Sequence, residues 1–231
     1  MKNSEYDQFD HLFPRREDSL SLAKGTECSL CKEKGFNFEG KDIVWGNGKH
    51  DAEIMVIGMD SAGAKPKERL WKASRCTLMP LTNKKTGAKF RIFLLKAGID
   101  PYLTYITNIV KCNIGRDHFR LEFNELSKAC INYLEKEIAK VKPEIIITLG
   151  TDVKKELDSI VISKESIGMI GLSPGVILSK TIPFVGEFKD GVKAKIFNMH
   201  HPSRIEGYEK EKLYITNLEL IKNCLLLNKQ R

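Results

Sequence analysis

The chain has 231 residues, 42% of them hydrophobic and 29% charged, a balance that fits one globular domain and excludes a disordered or low-complexity chain. No apolar run approaches the roughly 20 residues needed to cross a bilayer, and MKNSEYDQFDHLFPRRED at the N-terminus lacks the apolar core of a secretory signal, so a cytoplasmic protein without membrane contact is expected. The net charge is +8, and six cysteines in a reducing compartment are expected as thiols, metal ligands or catalytic groups, not as a disulfide framework.

Residues 1–25 read as a polar N-terminal arm and 26–231 as a single domain. ECSLCKEKG then places Cys28 and Cys31 with two residues between them, a chelating pair, and EGKDIVWGNGKH is Gly-rich loop with a short extended piece. EIMVIG (53–58) is the first buried strand, a short apolar run ending in Gly. Between Lys65 and Arg91 stand nine basic residues against one acid, which accounts for the whole net charge and points to a polyanion footprint. Within that stretch AKFRIFLLKAGI (88–99) has the pattern of an amphipathic helix stopped at Gly98. YITNIV (105–110) is the second strand, and 121–141 a helix with Leu126, Cys130, Tyr133, Leu134, Ile138 and Val141 on one face, ended by Pro143. EIIITLG (144–150) is a third strand, followed by a helix for which Thr151 and Asp152 offer an N-cap. Gly and Pro punctuate 165–192, where short strands are expected, before the last core strand, AKIFNMH (194–200), and a closing helix over 208–227. Alternating strands and helices predict an α/β fold: three layers, α/β/α, around a central, mainly parallel four-stranded sheet.

Ligands of such folds bind at the carboxyl ends of the strands, and three candidate groups occur there. Gly58-Met59-Asp60 follows the first strand and supplies a carboxylate, which on its own reads equally as a turn or helix cap. Asn108 lies inside a hydrophobic strand, where its amide is either satisfied structurally or paired with the edge of a base. His200-His201-Pro202-Ser203-Arg204 follows the last strand, and only one of two adjacent histidines can face the mouth of the sheet. Cys112 and Cys130 come from a strand end and the following helix, 17 residues between them. With Cys28 and Cys31 they make four thiolates, a set that serves zinc as well as iron.

Taken in order, GMDSAG, TNIVKCN with its later Cys and LG, and HPSR resemble the uracil-DNA glycosylase superfamily, closest to its iron–sulfur branch, over residues 28–205. The resemblance implies a glycosylase that cleaves the N-glycosidic bond without cutting the strand. It assigns Asp60 to stabilising the sugar cation and orienting water, and His201 to the anionic base. Gly58, Met59, Leu81 and Asn108 would hold the base, and Lys65, Lys67, Arg69, Lys84, Lys85, Ser203 and Arg204 the DNA phosphates. Cys28, Cys31, Cys112 and Cys130 would bind a [4Fe-4S] cluster, with zinc as the alternative occupant. DNA is the implied partner of a monomer. Two positions depart from the iron–sulfur branch: Met59 stands where it carries Glu, and Pro80-Leu81 where a Pro-Phe pair stacks on uracil. A Leu leaves a roomier pocket than Phe, so the implied substrate widens from uracil to bulkier modified pyrimidines such as those of phage DNA, and the implied role from DNA repair to antiviral defence. The alternative is a non-catalytic iron–sulfur protein that binds DNA and senses damage.

Overall fold

A computed structural model of the chain describes residues 46–59, 86–111, 116–167 and 183–226. Its elements are β1 (Asn47–Gly48), β2 (Ile54–Gly58), α1 (Thr86–Lys96), β3 (Thr104–Asn108), α2 (Arg116–Val141), β4 (Ile145–Leu149), α3 (Thr151–Asp158), β5 (Ser163–Ser166), β6 (Phe184–Glu187), β7 (Lys193–Met199) and α4 (Tyr208–Leu226), with 3-10 turns at Pro101–Leu103 and Pro202–Arg204. None of these helices is long and apolar enough to cross a membrane.

The strands form one sheet in the order β1-β3-β2-β4-β7-β6-β5. Its four central strands, β3, β2, β4 and β7, are parallel and are the four expected from the sequence. The sheet as a whole is wider than expected and mixed, because β1 adds antiparallel to β3, and β6 and β5 add antiparallel beyond β7. The added strands are two to four residues long, and all of β5 is exposed, so no apolar alternation marks it. β2, β3 and β4 are buried along their whole length, which is why they read as continuous apolar runs.

Alternate residues of each strand feed two separate cores. Val56, Ile106, Ile147, Leu149, Phe197 and Met199 pack with Phe93 and Leu94 of α1 and Tyr214 and Leu218 of α4. Met55, Ile57, Tyr105, Ile146 and Ile196 pack on the other face with Leu126, Cys130 and Leu134 of α2 and Val153 and Leu157 of α3. These are the three layers expected.

Two helix ends show what the local sequence decides. α1 closes as anticipated at Gly98, whose φ of 69° lets its N–H reach Leu95 O at 2.9 Å while the N–H of Ile99 reaches Leu94 O at 2.9 Å. The cap expected from Thr151 and Asp152 is not made. Gly150 occupies the N-cap position with φ 112° and ψ 163°, and no side chain caps the helix. The reason is that the N–H of Gly150 is committed to Met199 O at 2.9 Å, so the turn falls at a glycine, in a conformation open to no β-carbon, and Thr151 starts the helix.

Candidate active site

All four central strands end on the same edge, and the register sets which side chains face which core. Gly58 pairs with Asn108, one row beyond the row that joins Thr107, Ile57, Thr148 and Asn198 across the sheet. By alternation Asn108 therefore faces the α1–α4 side, as Ile106 does, whereas Thr107 faces α2. Asn108 is 2% exposed, and its Oδ1 has no hydrogen-bond partner among the described residues. A buried carbonyl oxygen without a donor costs about 1–3 kcal/mol. An incoming group bearing an N–H would remove that cost.

The chain beyond β3 stays tied to the end of β2. The N–H of Ile109 donates to Gly58 O at 3.0 Å and that of Val110 to Met59 O at 2.9 Å. Lys111 then turns its side chain back beneath the strand, where its Nζ donates to Thr107 Oγ1 at 2.7 Å and also to Glu137 Oε2. Glu137 comes from α2 and is 0% exposed; it accepts Tyr105 Oη–H at 2.9 Å, Thr107 Oγ1–H at 2.8 Å and the N–H of Gly46 at 2.6 Å. Burial, reinforced by the Glu137 charge, pushes the Tyr105 hydroxyl far above its usual range, so it remains a donor. Sequence reasoning passed over this pair. Its signal was a Glu on the apolar face of α2, seven residues after Cys130 and between Leu134 and Ile138.

Cys130 is the one member of the four-cysteine set within the described residues, and it is buried at 2% exposure. Its Sγ accepts the N–H of Lys111 at 3.5 Å, so the thiol lies against the residue that precedes Cys112. Cys28, Cys31 and Cys112 lie outside the described residues, as do Asp60, Leu81, Lys65, Lys67, Arg69, Lys84 and Lys85. Cys224, read from the sequence as an ordinary thiol, lies in α4, where Sγ donates to Leu220 O at 3.3 Å and burial pushes its pKa up.

At the end of β7 the backbone enters the 3-10 turn with His201 as its N-cap. Nδ1 of His201 accepts the N–H of Ser203 at 3.3 Å and lies 2.7 Å from Ser203 Oγ. An amide N–H can donate only to an unprotonated nitrogen, so the neutral ring carries its proton on Nε2. Burial lowers the pKa of His201, and the Arg204 charge lowers it further. The ring is therefore neutral near pH 7 and offers an N–H donor. Ser203 and Arg204 are exposed beside it.

β3 and β7 are three strand spacings apart, roughly 14 Å at ~4.8 Å each, enough to span a nucleoside. Asn108 and the His201 turn stand at the two ends of that stretch of the sheet edge. Met59, which precedes the basic segment in sequence, stands at this edge, and so does the first turn of α1, where Lys89 Nζ donates to Ile205 O. Two of its nine basic residues do not serve a polyanion footprint. Lys89 pairs with Glu211 Oε1 at 2.7 Å, and Arg91 is 3% exposed. Neither is free at the surface, which a count of charges along the chain does not register.

A family model described as the uracil DNA glycosylase superfamily matches residues 45–224.

Proposed function

The chain belongs to the uracil DNA glycosylase superfamily, whose members are generally DNA glycosylases, and we propose that it hydrolyses the N-glycosidic bond of an altered base in DNA to leave an abasic site. The observation that carries this reading is the occurrence, at one sheet edge, of a buried Asn108 Oδ1 without a donor among the described residues and of a neutral His201 bearing its proton on Nε2.

The chemistry follows from charge. As the bond from the sugar to the base breaks, the sugar becomes cationic and the base leaves as an anion; water then adds to the sugar carbon and gives up its proton. Asp60, one residue beyond Met59, is the carboxylate that stabilises the cation and orients the water. His201 donates its Nε2–H to a base oxygen as negative charge gathers there. Asn108 reads the base edge, with Gly58, Met59 and Leu81 lining the pocket. Lys65, Lys67, Arg69, Lys84, Lys85, Ser203 and Arg204 hold phosphates. Without the Glu and Phe of the iron–sulfur branch, the substrate is an altered pyrimidine that extends to forms bulkier than uracil, which suits defence against phage DNA as well as repair.

Cys28, Cys31, Cys112 and Cys130 would hold a [4Fe-4S] cluster, whose contribution is to pin the N-terminal segment to the core. The amide of Lys111 on Cys130 Sγ supports that use of Cys130. Metal analysis of the purified protein checks it: iron and sulfide in equal amounts are expected, and zinc in their place would contradict it.

Asp60→Asn and His201→Ala should each abolish base release while leaving affinity for DNA nearly unchanged. Retention of full activity by both variants would sink the assignment.

A further inference from the structure

We propose that Tyr214 and Lys89 are positioning residues that aim the His201 imidazole by holding both ends of its turn from outside it. The inference rests on the reading of His201 above as the group that meets the leaving base.

The turn closes on itself through two bonds, Arg204 N–H to His201 O at 2.9 Å and Ile205 N–H to Pro202 O at 3.2 Å. Those bonds fix its shape but not its direction relative to the sheet. Direction comes from the carbonyls on either side. His200 O accepts the hydroxyl of Tyr214 at 3.0 Å, which sets the plane of the peptide leading into His201. Ile205 O, five residues on, accepts Lys89 Nζ.

Both donors are themselves held. Tyr214 is 0% exposed, its ring set against Phe90 at 6.5 Å and 81° and against Phe93 at 5.2 Å. Burial raises its hydroxyl far above the usual range, so it stays a donor at any working pH. Lys89 is the residue before Phe90 on α1; its Nζ lies 5.5 Å from the Phe93 ring centre and 2.7 Å from Glu211 Oε1 on α4. The packed pair α1–α4 thus grips two carbonyls that flank the imidazole. A buried hydroxyl spent on the carbonyl next to His201 would be surplus if the turn only had to exist.

Catalysis is steep in such placement: a ~1 Å error costs about 100-fold. Tyr214→Phe keeps the ring between Phe90 and Phe93 and removes one oxygen. Lys89→Met keeps the stem and removes the ammonium. Each releases one of two ties, so kcat for base release should fall by about tenfold with KM for DNA unchanged, and Lys89→Arg should recover most of the loss.

The decisive readout does not need activity. In nitrogen-resolved NMR of the free protein, His201 should show a single Nε2–H tautomer in wild type. In Tyr214→Phe and Lys89→Met the tautomer, set within the turn by Ser203, should persist, while the ring resonances shift and the Nε2–H exchanges faster as the ring's direction is released, with only a small change in Tm. An unchanged His201 signature in both variants would overturn the proposal, whether or not Tm and activity fall. If wild type releases none of the bases in a panel while the signature still responds, the glycosylase reading fails and the positioning role stands.

Discussion

Ser203 decides which nitrogen of His201 holds the proton, and burial decides over what pH range the ring stays neutral. Protonating Nδ1 would break its bond with the Ser203 N–H and would put charge into a desolvated site beside Arg204. The folded pKa therefore lies below the ordinary 6.5, and desolvation contributes more to that shift than Arg204 does. Base release should stay level from neutral to mildly alkaline pH as far as His201 is concerned, and respond to its titration only below pH 6.5. In an NMR titration Arg204→Gln should raise the His201 pKa part of the way back, since the larger cause remains; a wild-type value at or above 6.5 would contradict this. Asn108 makes a complementary case. Its Oδ1, without a donor among the described residues, costs the free fold about 1–3 kcal/mol, so Asn108→Ala should hold or raise Tm while kcat/KM falls roughly ten- to a hundredfold, the value of one base-edge contact. A large loss of Tm with little loss of kcat/KM would make it a structural amide.

Among elements, α2 does more than cover the sheet. Through Glu137 it fastens the Gly46 amide, Tyr105 and Thr107 of β3, and Lys111 just past that strand, and it brings Cys130 against the Lys111 amide. The strap from Asn108 to Lys111 owes its position to that carboxylate. Glu137→Ala would leave the Lys111 ammonium buried without its counter-charge, at a cost of about 3–5 kcal/mol, which at this size is roughly 10 °C in Tm. A Lys111→Met, Glu137→Met double variant should lose less than either single, measured by thermal unfolding. The elements themselves were largely readable. β2, β3 and β4 are apolar throughout because both faces are covered, and α1 ends where Gly98 permits it. β5, with the sequence SKES, has every residue exposed and so carried no period-two signal. The cap at Thr151 failed because a backbone bond from Gly150 to Met199, far away in sequence, fixed where the turn falls. Glu137 was hidden for a related reason: its four donors come from Gly46, Tyr105, Thr107 and Lys111, and only the fold assembles them.

For the whole molecule, charge and topology point to the same edge. Seven of the nine clustered basic residues lie in sequence between Met59, at a strand end, and α1, which Lys89 holds against the His201 turn. Binding to DNA should weaken steeply with salt, and replacing Lys84 and Lys85 together by Ala should reduce the slope of log affinity against log salt by up to about 2, near 0.9 per phosphate contact. An unaltered slope would remove these two lysines from the interface. The order of the motifs along the chain made the superfamily legible, since each marks a strand end and parallel strands bring their ends together. The ties of Tyr214 to His200 and of Lys89 to Ile205 were not legible, because each joins residues whose proximity depends on how α1 and α4 pack. The most direct test of the proposed activity is to incubate the protein with DNA duplexes carrying uracil, hypoxanthine or glucosylated hydroxymethylcytosine and to assay abasic sites. The expected result is abasic product from at least one pyrimidine substrate, lost in Asp60→Asn; tight binding to all three with no abasic product from any would contradict a glycosylase and leave a DNA-binding protein in its place.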